Sequence, residues 1–369
     1  MVNKLGISGS PQRFSDYPSV EHKLDYRPAR EFFQQRSRKI KGLLGLYEYG
    51  SVNAPGISDI DLIAVISSDI QKQEMIPFLT GQDVPTYVKR VLDSGKIKPM
   101  SETQFAQVNL LGPIKTKPIY APDPITPEPP NTQTEFLIDV ANVFDWLPER
   151  IIMLRSLLNN PVLPCRRVLG ALGSFSHSVG TADKILGYRS TKSTIFIDSY
   201  KDLRTNWFTE TPEANFNITI TLIQMGIDLG QFLIREVTNH LLDLHVFQLN
   251  ESAEGSIFWI DRSKGFTFGA STDPSTRTNE SSSTLFQNIP SAWIQVVGTY
   301  AATKGPISKI ICQNLDLTDK KYRVSLETEL CTILNKRINW INESYTFLHP
   351  LGLADMLYRF SHIRLRSNS

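Results

Sequence analysis

Residues 43–67 read LLGLYEYGSVNAPGISDIDLIAVIS, and the fold is read outward from them. The first part, 43–50, is short, apolar and aromatic, the composition of a strand that stops on glycine. After a turn around Pro55-Gly56, residues 59–67 are rich in Ile, Leu and Val and predict a second strand. Side chains two apart on a strand share a face, so Asp59 and Asp61 present two carboxylates side by side. Such a pair repels itself unless a cation lies between them. Hard oxygen ligands at this spacing suit Mg²⁺, which keeps waters and takes further ligands from substrate phosphates. Upstream, Gly50 lets the backbone approach a ligand, and free N–H groups with the Ser51 hydroxyl can hold phosphate oxygens.

The flanking sequence predicts a helix over 27–41, with Pro28 suited to a first turn, and another within 70–93. FAQVNLL, 105–111, predicts a third strand. Seven prolines fall between Pro113 and Pro130, so 121–131 reads as a stiff, extended linker. Beyond it, helices are expected over 134–159 (interrupted at Pro148), 166–187 and 216–247. A hairpin of SIFWI (256–260) and FTFGA (266–270) follows, then a Ser/Thr-rich loop over 271–288. Further helices are expected at 291–303, 320–346 and 352–364. The fold class is therefore α+β: a small mixed-sheet domain over 1–125, then a mostly α-helical domain over 132–369.

Gly50-Ser51, a short spacer, then Ser58-Asp59-Ile60-Asp61-Leu62 resembles the signature of the DNA polymerase β-like nucleotidyltransferase superfamily. That group includes antibiotic and minimal nucleotidyltransferases, poly(A) polymerases and CCA-adding enzymes. The resemblance covers 27–120, about a quarter of the chain. It implies that Gly50 and Ser51, with Ser58, hold the phosphates of an NTP such as ATP, and that Asp59 and Asp61 bind Mg²⁺ or Mn²⁺. It also implies in-line attack of an acceptor hydroxyl on the α-phosphorus, with pyrophosphate released between two metals. A helical domain behind such a centre commonly selects the acceptor, and Arg204, Asn206 and Trp207 are candidates to face it. A small-molecule acceptor is expected; RNA, protein, or nucleotide binding without catalysis are the alternatives.

Two departures stand out. Only residues 52–58 separate Ser51 from Asp59, room for one helical turn at best. The family's third carboxylate, on a later strand, is replaced by Asn109 in FAQVNLL; Glu102, just upstream, is the other candidate, and neither of them filling the place is the remaining case.

Other patterns carry less. Gly6-Ile-Ser-Gly-Ser10-Pro11 has too little sequence before it to follow a buried strand, and the six histidines show no ligand spacing. No Walker loop or nucleophile elbow occurs. Three cysteines without a CxxC pair argue against a disulfide framework. No secretory h-region or membrane-spanning stretch is recognised, so a cytoplasmic protein without membrane partners is expected. The net charge of +2 names no partner, but residues 23–41 carry seven basic and two acidic side chains. That stretch lies just ahead of the phosphate-loop candidate, where a triphosphate needs compensation.

Overall fold

The computed structural model describes residues 13–50, 52–82, 84–92, 97–112, 114–158, 160–249 and 324–353, with the strands at 256–261, 267–271 and 284–289. Ser51, the Gly6–Pro11 segment, the helix expected at 291–303 and nearly all of that at 352–364 lie outside these residues.

In chain order the elements are β1 (Arg13–Ser15), α1 (Tyr26–Ser37), β2 (Leu43–Tyr49), β3 (Asp61–Ile66), α2 (Lys72–Thr80), α3 (Thr86–Val91), β4 (Lys98–Met100), α4 (Glu102–Ala106), β5 (Thr116–Tyr120) and α5 (Thr132–Leu158). They continue with β6 (Val162–Pro164), α6 (Cys165–Leu186), α7 (Thr191–Thr205), α8 (Pro212–Asp243), β7 (Phe247–Leu249), β8 (Ser256–Asp261), β9 (Thr267–Ser271), β10 (Thr284–Ile289), β11 (Val324–Leu326) and α9 (Thr328–Leu348). The fold is α+β, with a small mixed sheet and a larger helical part.

Contacts divide the chain into two compact units, each assembled from separate segments. The sheet unit comprises Pro18–Ile138 and Asn335–Arg359; the helical unit comprises Met1–Tyr17, Asp139–Leu334 and Phe360–Ser369. The proline-rich stretch at 121–131 thus lies inside the sheet unit.

In the sheet unit the strand order is β4-β3-β2-β5, with only β3 and β4 parallel. Every residue of β3 after Asp61 is buried, as a strand covered on both faces requires. Pro118 sits on β5, an edge strand, where its missing N–H costs little. Helix α1 buries Tyr26, Ala29, Phe33 and Ser37, one stripe at helical spacing, and Phe33 meets Phe78 of α2 edge-on at 6.2 Å.

The expected third strand at 105–111 is not one. Residues 102–106 form α4 and Val108–Leu111 a 3-10 turn, while the strands completing the sheet are 98–100 and 116–120. The cause is a capping box. Ser101 Oγ accepts from the Gln104 N–H at 3.2 Å, and Gln104 Oε1 accepts from the Ser101 N–H at 2.9 Å. The proline-rich stretch is tied down as well: Glu128 N–H donates to Ala106 O at 2.8 Å, and Ile125 N–H to Tyr47 Oη at 2.9 Å.

In the helical unit, α6, α7 and α8 pack on one another, with Phe175 and Phe196 edge-to-face at 5.1 Å. Gly230 of α8 permits this approach: a Cβ there would lie 2.5 Å from Ile151 Cγ1. Helix α5 runs through Pro148 without a break, and α7 was not expected from the sequence. The expected hairpin forms, with Trp259 opposite Gly269; β10, within the expected loop, pairs with the other edge of β8. Helix α8 is, among the described residues, the one helix long and apolar enough by length and composition to cross a membrane, and half of that stretch is buried inside the protein. Residues 13–17 belong here too. Strand β1 pairs with β6, Asp16 Oδ1 accepts from the Cys165 N–H that opens α6, and Phe14 and Tyr17 pack on Trp207.

Candidate functional site

The register of β2 on β3 brings the sequence motif together. Tyr49, the last residue of β2, lies opposite Asp61, the first of β3. The turn at Gly50 and the two aspartates therefore meet at one end of the sheet. Ile60 between the aspartates is 1% exposed, and its N–H donates to Val91 O at 2.6 Å. Asp59 and Asp61 are both partly exposed, as alternation along extended chain requires when Ile60 points inward.

Gly50 has φ +75°, a left-handed conformation that costs a side chain roughly 1–2 kcal/mol. No atom lies within 4 Å of where its Cβ would stand, so conformation rather than space calls for glycine. Its N–H donates to Lys115 O at 3.3 Å, so Gly50 contributes the turn and an open approach, not a free donor. Its neighbour Ser51 lies outside the described residues.

The spacer closes into a single turn. Ile57 and Ser58 N–H groups both donate to Ala54 O, at 3.0 and 2.8 Å, and Ser58 Oγ accepts from the Ala54 N–H at 3.2 Å. Tyr26 of α1 pins this turn: its hydroxyl accepts from the Gly56 N–H at 2.9 Å and donates to Ser58 O. Ser58 thus shapes the loop ahead of the aspartates. Sequence reasoning missed Tyr26, because nothing marks a helical tyrosine as a loop anchor until the helix is placed.

The third position is not brought to the pair as a carboxylate. Asn109 Nδ2 donates to Glu128 O at 2.9 Å and its Oδ1 accepts from the Ile114 N–H at 3.1 Å, so its amide holds two stretches of backbone. Glu102 is exposed in the first turn of α4. Among the described residues no cluster of three or more His, Cys, Asp or Glu side chains is placed to hold a metal. The Asp59/Asp61 pair remains a two-carboxylate donor set, which fits a hard cation that draws other ligands from water and phosphate.

The basic helix serves the opposite face. Glu48 precedes Tyr49, so its side chain lies across the sheet from Asp61. It is 8% exposed and accepts a bidentate ion pair from Arg30, Nε–Oε2 2.6 Å and Nη2–Oε1 2.7 Å. That hydrogen-bonded carboxylate raises the Arg30 pKa, against the lowering effect of burial. Arg27 pairs with Glu31 at 2.8 Å. These residues, with Gln34, Lys117, Pro118 and Ile119, line a cleft of about 240 Å³ on that face, away from the aspartates.

In the helical unit, Trp207 is fully buried, Arg204 lies half-buried over the Tyr200 ring at 5.5 Å, and Asn206 is exposed. Cys165 is buried, and burial first, then the nearby Asp16 charge, push its thiol pKa far up, so it is no nucleophile.

Comparison of the chain with protein-family models, curated proteins and solved structures finds no match.

Proposed function

We propose that this protein is a metal-dependent nucleotidyltransferase that moves a nucleoside monophosphate from an NTP to a hydroxyl of a small-molecule acceptor. The observation that carries this reading is the Tyr49–Asp61 register, which sets the Gly50 turn beside the aspartate pair at one sheet end. Asp59 and Asp61 would hold Mg²⁺ or Mn²⁺. The metal supplies charge neutralisation of the phosphates and activation of the attacking oxygen. Gly50 keeps the approach to the pair clear, and the Tyr26–Gly56–Ser58 bonds fix the loop leading to Asp59. Labelled NTP with Mg²⁺ and a pool of small hydroxyl compounds should give a labelled product and pyrophosphate. The Asp59→Ala/Asp61→Ala double variant should fall to background; retained activity would overturn the assignment.

A second reading, nucleotide binding without turnover, is favoured by one observation: Asn109 is committed to backbone on both ends of its amide. Calorimetry showing metal-dependent NTP binding while no pyrophosphate forms would select it. An RNA acceptor is less favoured, since Arg27 and Arg30 of the basic stretch already face carboxylates.

A further inference from the structure

The sheet unit carries a concavity that the proposed nucleotide chemistry does not use. Helix α1 buries Tyr26, Ala29, Phe33 and Ser37, and positions 27, 30, 31 and 34 form its neighbouring face. Between that face and residues 117–119 of the edge strand β5 lies the cleft of about 240 Å³. Glu48 is at its base, so the cleft opens on the side of the sheet away from Asp61.

Two cations in this cleft have donors to give. Glu48 is 8% exposed and takes Nε and Nη2 of Arg30 at 2.6 and 2.7 Å, which holds the guanidinium still. Nη1 stands outside that pair, in a side chain that remains partly exposed. An arginine already fixed loses little further freedom when an anion binds. The register of β2 on β5 places Lys117 directly opposite Glu48, so the two side chains share a face. Lys117 is exposed and pairs with no carboxylate among the described residues.

The charges lining the cleft then decide the ligand. Arg30 answers Glu48, and Arg27 answers Glu31 at 2.8 Å, which leaves Lys117 as the unmatched charge. One surplus positive charge suits a monoanion, and two fixed carboxylates disfavour a dianion. Pro118 and Ile119 add apolar surface beside Lys117. The volume is just below the roughly 300 Å³ at which pockets for drug-sized molecules begin, so the ligand is a single ring or a short chain. We propose that this cleft binds a small organic monocarboxylate. Its carboxylate accepts hydrogen bonds from Lys117 Nζ and Arg30 Nη1, and its carbon skeleton rests on Pro118 and Ile119. The site is separate from Asp59 and Asp61, and its test does not depend on them.

The full-length protein is titrated with sodium benzoate, with benzamide (the same ring without the charge), and with sodium phosphate, all against sodium chloride at equal ionic strength. Calorimetric heat and the thermal midpoint are followed. A saturable response to benzoate is expected, absent with benzamide and chloride and weaker with phosphate. Lys117 is the residue to vary, since it is exposed and loss of Arg30 would strand Glu48. Lys117→Gln should weaken benzoate binding about tenfold, the loss expected for one hydrogen bond to a charged group, while Lys117→Arg should retain it. The proposal is overturned if benzoate gives no saturable response, if benzamide binds as well, if phosphate binds more tightly, or if Lys117→Gln leaves benzoate binding unchanged.

Discussion

Glu48 is nearly inaccessible to water, whereas Arg30, its bidentate partner, keeps 35% of its side chain exposed. Removing the arginine alone strands a buried carboxylate; removing both charges does not. Arg30→Met is therefore expected to destabilise by about 2 kcal/mol, and the Arg30→Met/Glu48→Leu double variant by clearly less. Urea midpoints of the four members of this cycle check it. His177 gives a pH signature. Although the side chain keeps solvent contact, the protein packed around its ring desolvates it and holds its folded-state pKa below the unfolded value, so its contribution to stability is present above about pH 6.5 and is lost as pH falls toward the folded pKa. Thermal midpoints from pH 7.5 to 5 should fall less steeply in His177→Gln than in the wild type. At this scale the sequence was informative about Asp59, Asp61 and Gly50, whose residue types announce their chemistry. It was silent on Tyr26, which matters through the loop it anchors.

Strands β2 and β3 were legible because apolar, β-branched and aromatic residues end on a glycine and begin on the aspartates. Residues 105–111 were misread because their apolar character is equally that of a buried helix turn. The deciding signal lay upstream in Ser101-Glu-Thr-Gln104, a capping box. Helix α5 defeated the expectation that Pro148 interrupts it, because burial of both halves outweighs one missing backbone bond. Packing between helices also fixes Gly230. Alanine there meets Ile151 at less than contact distance, so Gly230→Ala should destabilise the protein by about 1–3 kcal/mol, despite alanine's better helix propensity. The urea midpoint, falling without a change in slope, is the measurement.

Across the whole molecule, the sheet unit takes in the proline-rich stretch and part of α9, which lies some two hundred positions later in the chain. Arg337 of α9, fully buried, donates to Leu110 O and, at 3.2 Å, to Ile138 O; Trp340 Nε1 donates to Gln104 O at 3.0 Å. No sequence pattern marks an arginine in a long amphipathic helix as the bolt for a segment 227 positions earlier. A fragment of residues 18–138 therefore lacks the side chains that cover 104–111. It is expected to show no cooperative unfolding transition by circular dichroism, whereas the whole chain does. A cooperative transition in the fragment would show that α9 is dispensable.

The return of α9 also orders events in time. During synthesis, residue 138 leaves the ribosome well before residue 335, by roughly 10–40 seconds at about 5–20 residues per second. Through that interval β2, β3 and the loop between them that carries Gly50 and Asp59 exist without the helix that covers α4. The nascent sheet unit leaves the surface over 104–111 uncovered until residues 335–348 have been made.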